Sequence, residues 1–175
     1  MKTILLFLAF MLQVVAMKAQ TWKPGDYEIS FKIRNAGLNV TGRFTGLRAN
    51  LIFDPADLAK SSLSASVDVT SIKTGIRKRD DDLQEEQYFN SARYKLIEMK
   101  SAKLYKKGDK YAGMFNVTIK GVTKLVEVPF EFNRNGSNAE FKGSFNINRR
   151  DYGVGGNSMI MSDDLTVNIR INAKG

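Results

Sequence analysis

Apolar and polar residues alternate at every step of Tyr27-Glu28-Ile29-Ser30-Phe31-Lys32-Ile33-Arg34. A strand sends successive side chains to opposite faces, so this run predicts one buried face and one wet face. The same period recurs at Leu63, Ala65, Val67 and Val69, and again at Tyr111, Gly113, Phe115, Val117 and Ile119. It returns at Val126, Val128, Phe130 and Phe132, then at Phe141, Gly143, Phe145 and Ile147. The chain closes on Leu165, Val167, Ile169, Ile171 and Ala173, while weaker strands fit Val40–Asp54 and Leu96–Tyr105. Lys107-Gly108-Asp109, Lys120-Gly121-Val122-Thr123 and Asn135-Gly136-Ser137 supply turn chemistry between these runs.

About eight strands joined by short turns predict an all-β, antiparallel fold. Such strands close into a barrel or stack as a sandwich, and the pattern alone does not choose. The charged alternate positions disfavour a membrane-spanning barrel, whose outward band is apolar. One segment breaks the period. Between Ser71 and Phe89 the chain packs Arg77-Lys78-Arg79 against Asp80-Asp81-Asp82 and ends on Tyr88 and Phe89. Asp80–Tyr88 reads as one short helix, its carboxylates at the positive end of the helix dipole. Leu83, Tyr88 and Phe89 would then plug the end of the strand assembly as a lid.

The first residues stand apart. Lys2, an apolar run over Ile4–Ala16 interrupted by Gln13, and Ala19 before Gln20 form the three parts of a secretory signal peptide. The expectation is therefore a signal peptide over 1–19 and one domain over 20–175. No membrane span would remain after cleavage. The formal net charge of +9 falls to +7 when Lys2 and Lys18 leave. No run of five basic residues exists, and the densest cluster is followed at once by three aspartates, so nucleic acid is not an expected partner.

The chain has no Cys and no His. That removes disulfides, thiolate nucleophiles, the commonest general base and the commonest metal ligand. Asp80-Asp81-Asp82 and Asp163-Asp164 hold oxygen ligands, but adjacent residues do not converge easily on one ion, so no metal is expected. Gly153-Val154-Gly155-Gly156-Asn157-Ser158 lacks the Lys-Ser/Thr ending of a phosphate loop and reads as a flexible loop, with Met159 and Met161 beside it. No cofactor is implied.

Four blocks carry a family resemblance. They are Phe31-x-Ile33 with Gly37-Leu38-x-Val40-x-Gly42-Arg43-Phe44; Ser71-Ile72-x-Thr74-Gly75 with Arg79-Asp80-x-x-Leu83 and Tyr88-Phe89; Thr118 to Lys124; and Asn148-Arg149-x-Asp151-Tyr152-Gly153-Val154. In this order the chain resembles the bacterial YceI-like periplasmic lipid-binding proteins. The resemblance implies a lipocalin-like, extended eight-stranded antiparallel barrel with a short helical lid. It implies no catalytic activity, and a hydrophobic tunnel for an isoprenoid, a quinone or a fatty-chain lipid. It implies a periplasmic location and leaves pairing into a homodimer open. Candidate tunnel contacts are Phe31, Ile33, Phe44, Leu83, Phe89, Phe115, Val117, Ile119, Phe130, Phe145 and Ile147. Candidate head-group contacts are Asn35, Arg43, Arg79 and Arg149, the guanidinium groups being suited to phosphate.

Arg79-Asp80 and Arg149/Asp151 have an equally physical reading as local ion pairs. Asn35 and Asp82 stand where the family often has His, and Lys95 where it often has Pro, which weakens the case for a pyrophosphate head group. Two alternatives remain at this point. One is a lipid-modifying enzyme in the same barrel. The other is an interaction module with a solid core.

Overall fold

A computed structural model describes residues 20–175. The signal peptide expected over 1–19 lies outside the described residues. Nine strands form one antiparallel sheet: β1 (Thr21–Asn35), β2 (Leu38–Phe44), β3 (Leu47–Ile52), β4 (Ser62–Asp68), β5 (Leu96–Lys107), β6 (Lys110–Ile119), β7 (Val122–Asn135), β8 (Asn138–Asn148) and β9 (Met161–Lys174). β1 also pairs with β9, from Lys23↔Lys174 to Asn35↔Met161, which closes the sheet. The result is a closed eight-stranded barrel of β1 and β3–β9 with β2 as an extra strand. No helix among the described residues is long and apolar enough to cross a membrane.

The alternation expected for Tyr27–Arg34 holds in space. Ile29 and Ile33 are buried while Glu28, Lys32 and Arg34 are exposed. The strand is longer than that run, continuing back to Thr21 through an irregularity between Pro24 and Tyr27. Lys120 and Gly121, at φ 51° and 76°, make the tight link between β6 and β7, a primed turn whose twist matches that of paired strands.

Two expectations change. Val40–Asp54 is not one strand but two, β2 and β3, broken at Thr45-Gly46. The break lets the upper half pair with β1 at Ile29↔Phe44 and the lower half at Thr21↔Ile52. Tyr27 fills it: the hydroxyl donates to the Thr45 carbonyl and accepts from the Leu47 amide. The helix is α1 (Arg77–Asp82), earlier and shorter than Asp80–Tyr88. After it the chain runs through successive turns, and the Phe89 amide bonds back to the Leu83 carbonyl at 3.1 Å. A continued helix would keep Gln87 on Leu83's face. The turns leave Glu85, Glu86 and Gln87 exposed and bring Phe89 inward instead.

The core differs at the two ends. At one end Phe53 is ringed by Tyr111, Phe130, Phe132 and Phe141, with centroids 4.8 to 5.7 Å away. Trp22 packs edge-on against Phe132, and its Nε1 donates to the Phe53 carbonyl at 3.0 Å. These offset and edge-to-face contacts fill the barrel base. At the other end the lid segment of α1 and its following turns lies over a cavity.

Candidate functional site

The cavity has a volume of about 170 Å³ and an almost wholly apolar wall. Seven of the nine strands, all but β3 and β7, contribute to it. Phe31 and Ile33 come from β1, Phe44 from β2, Val117 and Ile119 from β6, Phe145 and Ile147 from β8, and the lid adds Leu83 and Phe89. Phe44 holds the lid down, its ring 6.4 Å from Phe89 and 6.0 Å from Phe31. A neighbouring cavity of about 70 Å³ lies toward the base and shares Ala65, Met99 and Ile169 with the first.

Two candidates sit deeper than expected. Phe115 and Phe130 line the smaller cavity and not the larger one, and Phe130 also belongs to the aromatic cluster around Phe53. Alternation assigns a residue to the inside of a barrel but not to a depth along its axis. Other lining residues were not singled out from sequence. Leu165 and Val167 carried the right signal, being inward positions on β9 opposite Ile33 and Phe31. Tyr152 stood in the fourth family block but carried no periodic signal, because it lies in a 3₁₀ turn (Arg149–Tyr152).

The four head-group candidates separate. Arg43 is exposed and does not line the cavity; its backbone forms an isolated bridge with Lys73. Arg149 lines it but is almost wholly enclosed. Its Nε donates to the Ser162 carbonyl at 2.9 Å, and Nη1 to those of Val154 and Gly156, both at 2.8 Å. Its Nη2 donates to the Met161 carbonyl at 3.3 Å and to Asp163 Oδ1 at 2.8 Å. A guanidinium has five N–H groups, and these bonds engage all of them. Arg149 therefore fastens the loop at Val154 and Gly156 to the start of β9 and has no donor left for an anion. Its ion-pair partner is Asp163 rather than Asp151, and Arg150 shares that carboxylate at 3.2 Å.

Arg79 and Asp80 do not pair directly; Thr74 links them. Arg79 donates through Nε to Thr74 Oγ1 at 2.8 Å and through Nη2 to the Thr74 carbonyl at 2.7 Å. Thr74 in turn donates its amide and its hydroxyl to Asp80 Oδ1, at 2.8 and 2.6 Å. Burial pushes the Asp80 carboxyl up, but the two Thr74 bonds with Lys73 and Arg79 nearby outweigh it and hold it below the usual range. This network pins the start of the lid, and Arg79 still lines the cavity with part of its donor set unused. Asp82 pairs with Lys78 at 2.7 Å.

Asn35 lines the cavity at the end of β1, and its Oδ1 is buried with no hydrogen-bond partner among the described residues. The Tyr152 hydroxyl is in the same state. Burial, with the Asp151 charge adding to it, pushes the Tyr152 phenol up to about 12, so it stays neutral. The apolar character continues outward on the rim. Leu38, Met159 and Ile160 are exposed, and the Ala36 amide ties the β1–β2 turn to the Ile160 carbonyl at 2.7 Å.

The model of the YceI-like domain family matches residues 21–173. A UPF0312 protein of Photorhabdus laumondii is 28% identical over 137 residues, covering 74% of this chain and 71% of its own length. A UPF0312 protein of Vibrio cholerae is 25% identical over 164 residues, covering 87% and 83%. Among solved structures, BcnA of Burkholderia cenocepacia superposes with a TM-score of 0.81 at 25% identity, over 85% of this chain and 96% of its own. A polyisoprenoid binding domain from Saccharophagus degradans, implicated in plant cell wall breakdown, superposes at 0.71 with 13% identity, over 89% and 97%. At that identity the likeness concerns the fold.

Proposed function

Because this chain belongs to the YceI-like domain family, we propose that it is a non-catalytic carrier or reservoir for an isoprenoid-type or other long-chain amphiphilic lipid, exported by its signal peptide to the periplasm. The carrying observation is the apolar cavity under the lid, with a smaller cavity below it that ends against Phe130 and Phe141 of the aromatic cluster. A chain-like tail gains roughly 0.8 kcal/mol per CH₂ moved from water into such a space, so few polar contacts are needed. The relative named as a polyisoprenoid binding domain adds support at the level of the family.

The arrangement favours binding over catalysis. The charged side chains that are buried, Asp80 and Arg149, are spent on Thr74 and on the loop after β8 with the start of β9. The lysines that depart from their ordinary value are raised by surface ion pairs, as Lys107 is by Glu127, the opposite of an activated amine. The test is native mass spectrometry of the protein purified from its own cell envelope, followed by denaturation and identification of the released mass. A prenyl- or fatty-chain lipid is expected. A solvent extract free of lipid, together with failure of the delipidated protein to take up any long-chain probe, would refute the carrier reading.

A further inference from the structure

The large apolar side chains left in water are not spread over the barrel. Of the six that are exposed among the described residues, four (Leu38, Ile76, Met159 and Ile160) stand at the lid end. Three of these meet in one place. Asn35 pairs with Leu38 on one side and with Met161 on the other, and the Ala36 amide donates to the Ile160 carbonyl at 2.7 Å. The β1–β2 turn and the loop before β9 therefore share one apolar tip, at which the Met159 side chain is wholly in water. Leu38 belongs to the face of β2 that sends Val40 and Phe44 into the cavity wall, yet it is 72% exposed, so the tip adjoins the mouth.

The outer face of the same hairpin is basic. Lys32 and Arg34 alternate with Phe31 and Ile33 and so point away from the cavity, opposite Thr41 and Asn39 of β2. Arg43 stands opposite Ser30. On β9 the neighbours of Ser30 and Lys32 are the neutral Asn168 and Thr166. All three cations are exposed, and none makes an ion pair among the described residues. Lys73, whose backbone bridges to Arg43, and Arg77, beside Ile76, carry the same free charge toward the lid. The acids at the start of β9 are taken up, Asp163 by Arg149 and Arg150 and Asp164 by Asn148. The exposed acids of the lid, Asp81, Glu85 and Glu86, follow Arg77 in the chain, so the basic side is the hairpin and the approach to the lid, not the later turns.

We propose that this edge docks the mouth of the barrel on an anionic phospholipid surface. The side chains of Leu38, Met159 and Ile160 enter the interface, and Arg34 and Lys32 meet the phosphates. These two cations lie one and three residues below Asn35, about 3 and 10 Å along a strand. That is the level of the head groups once the apolar tip is in the interface. Arg43, Lys73 and Arg77 add attraction from farther out, which salt screens. The apolar side chains stand on turns rather than on a flat face. A fluid interface closes around such single side chains, whereas a rigid protein partner has to match each of them in shape. The docking edge is independent of what fills the cavity and does not rest on the carrier reading.

The test is flotation of the purified protein with two kinds of vesicle, phosphatidylcholine alone and phosphatidylcholine with about 30% phosphatidylglycerol. Binding to the anionic vesicles is expected to be about 10-fold or more stronger, and to fall as salt rises from about 0.1 to about 0.5 M. Met159→Asp, at a side chain wholly in water, should weaken it about 5- to 10-fold. Lys32→Glu with Arg34→Glu should weaken it about 10-fold or more and flatten the salt dependence. Lys106→Glu with Lys174→Glu makes the same change of charge at the base of the barrel, where β5 turns into β6 and β9 ends, and should weaken it by less than about 3-fold. Thermal unfolding of each variant separates lost folding from lost docking. Three results overturn the docking edge: no binding to either vesicle, equal loss in the base and hairpin variants, or binding untouched by both Met159→Asp and the Lys32/Arg34 pair. A dimer in sedimentation that Met159→Asp dissolves overturns it as well, because the tip then belongs to a second copy of the chain. Uptake of a long-chain probe by delipidated protein is measured separately, so the carrier reading stands or falls on its own.

Discussion

The backbone amide of Gly155 donates to the carbonyl of Gln87 at 2.8 Å, fastening the loop after β8 to the lid after α1. Gly155 has φ +71°, and a Cβ there would lie 2.6 Å from Met161 Cε and 3.2 Å from Tyr88 Cε1 and Arg149 Nη1. Gly155→Ala therefore combines left-handed strain with crowding at this latch. The expected cost is about 1–2 kcal/mol. Hydrogen exchange of the amides between Leu83 and Asn90 should accelerate, while the β7–β8 amides keep their protection. Equal acceleration in both regions would mean that the lid does not open separately.

Asp80 makes the lid sensitive to acid. Its carboxyl is held below the ordinary value of 3.8 in the folded protein. A depressed folded value means the stabilisation is fully present above the unfolded value and is lost as pH falls through the folded one. The lid should thus be intact from neutrality down to about pH 4 and loosen below it. Asp80→Ala should cost about 2 kcal/mol at neutral pH, the worth of hydrogen bonds to a charged acceptor. Asp80→Asn should flatten the acid limb of the unfolding temperature between pH 4.5 and 2.5, relative to the unsubstituted protein. An acid limb equally steep in Asp80→Asn would assign it to other carboxylates.

Arginines 43 and 149 should behave oppositely. Arg149 is buried and satisfies four carbonyls besides Asp163, two in the loop and two at the start of β9, so Arg149→Met strands those acceptors. A loss of about 2–4 kcal/mol is expected in chemical denaturation. Arg43 is exposed, and its fold contact runs through its backbone, so Arg43→Ala should change stability by less than about 0.5 kcal/mol. Ligand affinity should follow stability for Arg149 and stay constant for Arg43. A stable Arg149→Met protein that loses only ligand would return the guanidinium to the head-group role.

The contrast between these arginines shows where sequence reading stops. The inward face of β1 was legible at Ile29, Phe31 and Ile33 because a half-buried strand imposes its period on every residue. The same rule located most of the cavity wall. It was silent on Phe130, whose inward direction is periodic but whose depth depends on the stagger of the closed barrel. The split of Val40–Asp54 was hidden because it is made by Tyr27, a distant residue reaching into the gap. Arg149 was hidden for a related reason. Its partners are mostly carbonyls of an irregular loop and of the start of β9, and a carbonyl has no signature in the choice of side chain. Tyr152 stood in a family block, but its place in the cavity wall was not legible because a 3₁₀ turn has no period-two pattern.

The path for the tail is controlled at Ala65, Met99 and Ile169, the residues common to the upper and lower cavities. Beyond them the lower cavity ends against Phe130 and Phe141, which pack on Phe53. Affinity should therefore rise with tail length by roughly 0.8 kcal/mol per buried CH₂ and then level off where the tail meets those rings. Ala65→Phe places a ring at the junction. The expected cost in stability is about 1–3 kcal/mol from overpacking. Along a ladder of prenols from geraniol through farnesol to geranylgeraniol, the variant should reach its plateau at a shorter chain than the unsubstituted protein. Its affinity for the shortest prenol should fall least, because Ala65 lies where the two cavities meet and the wall nearer the lid is unchanged. A uniform loss along the ladder would mean the substitution disturbs the whole barrel. Identical plateaus in both proteins would mean that tails do not pass Ala65 at all and that the lower cavity is ordinary core.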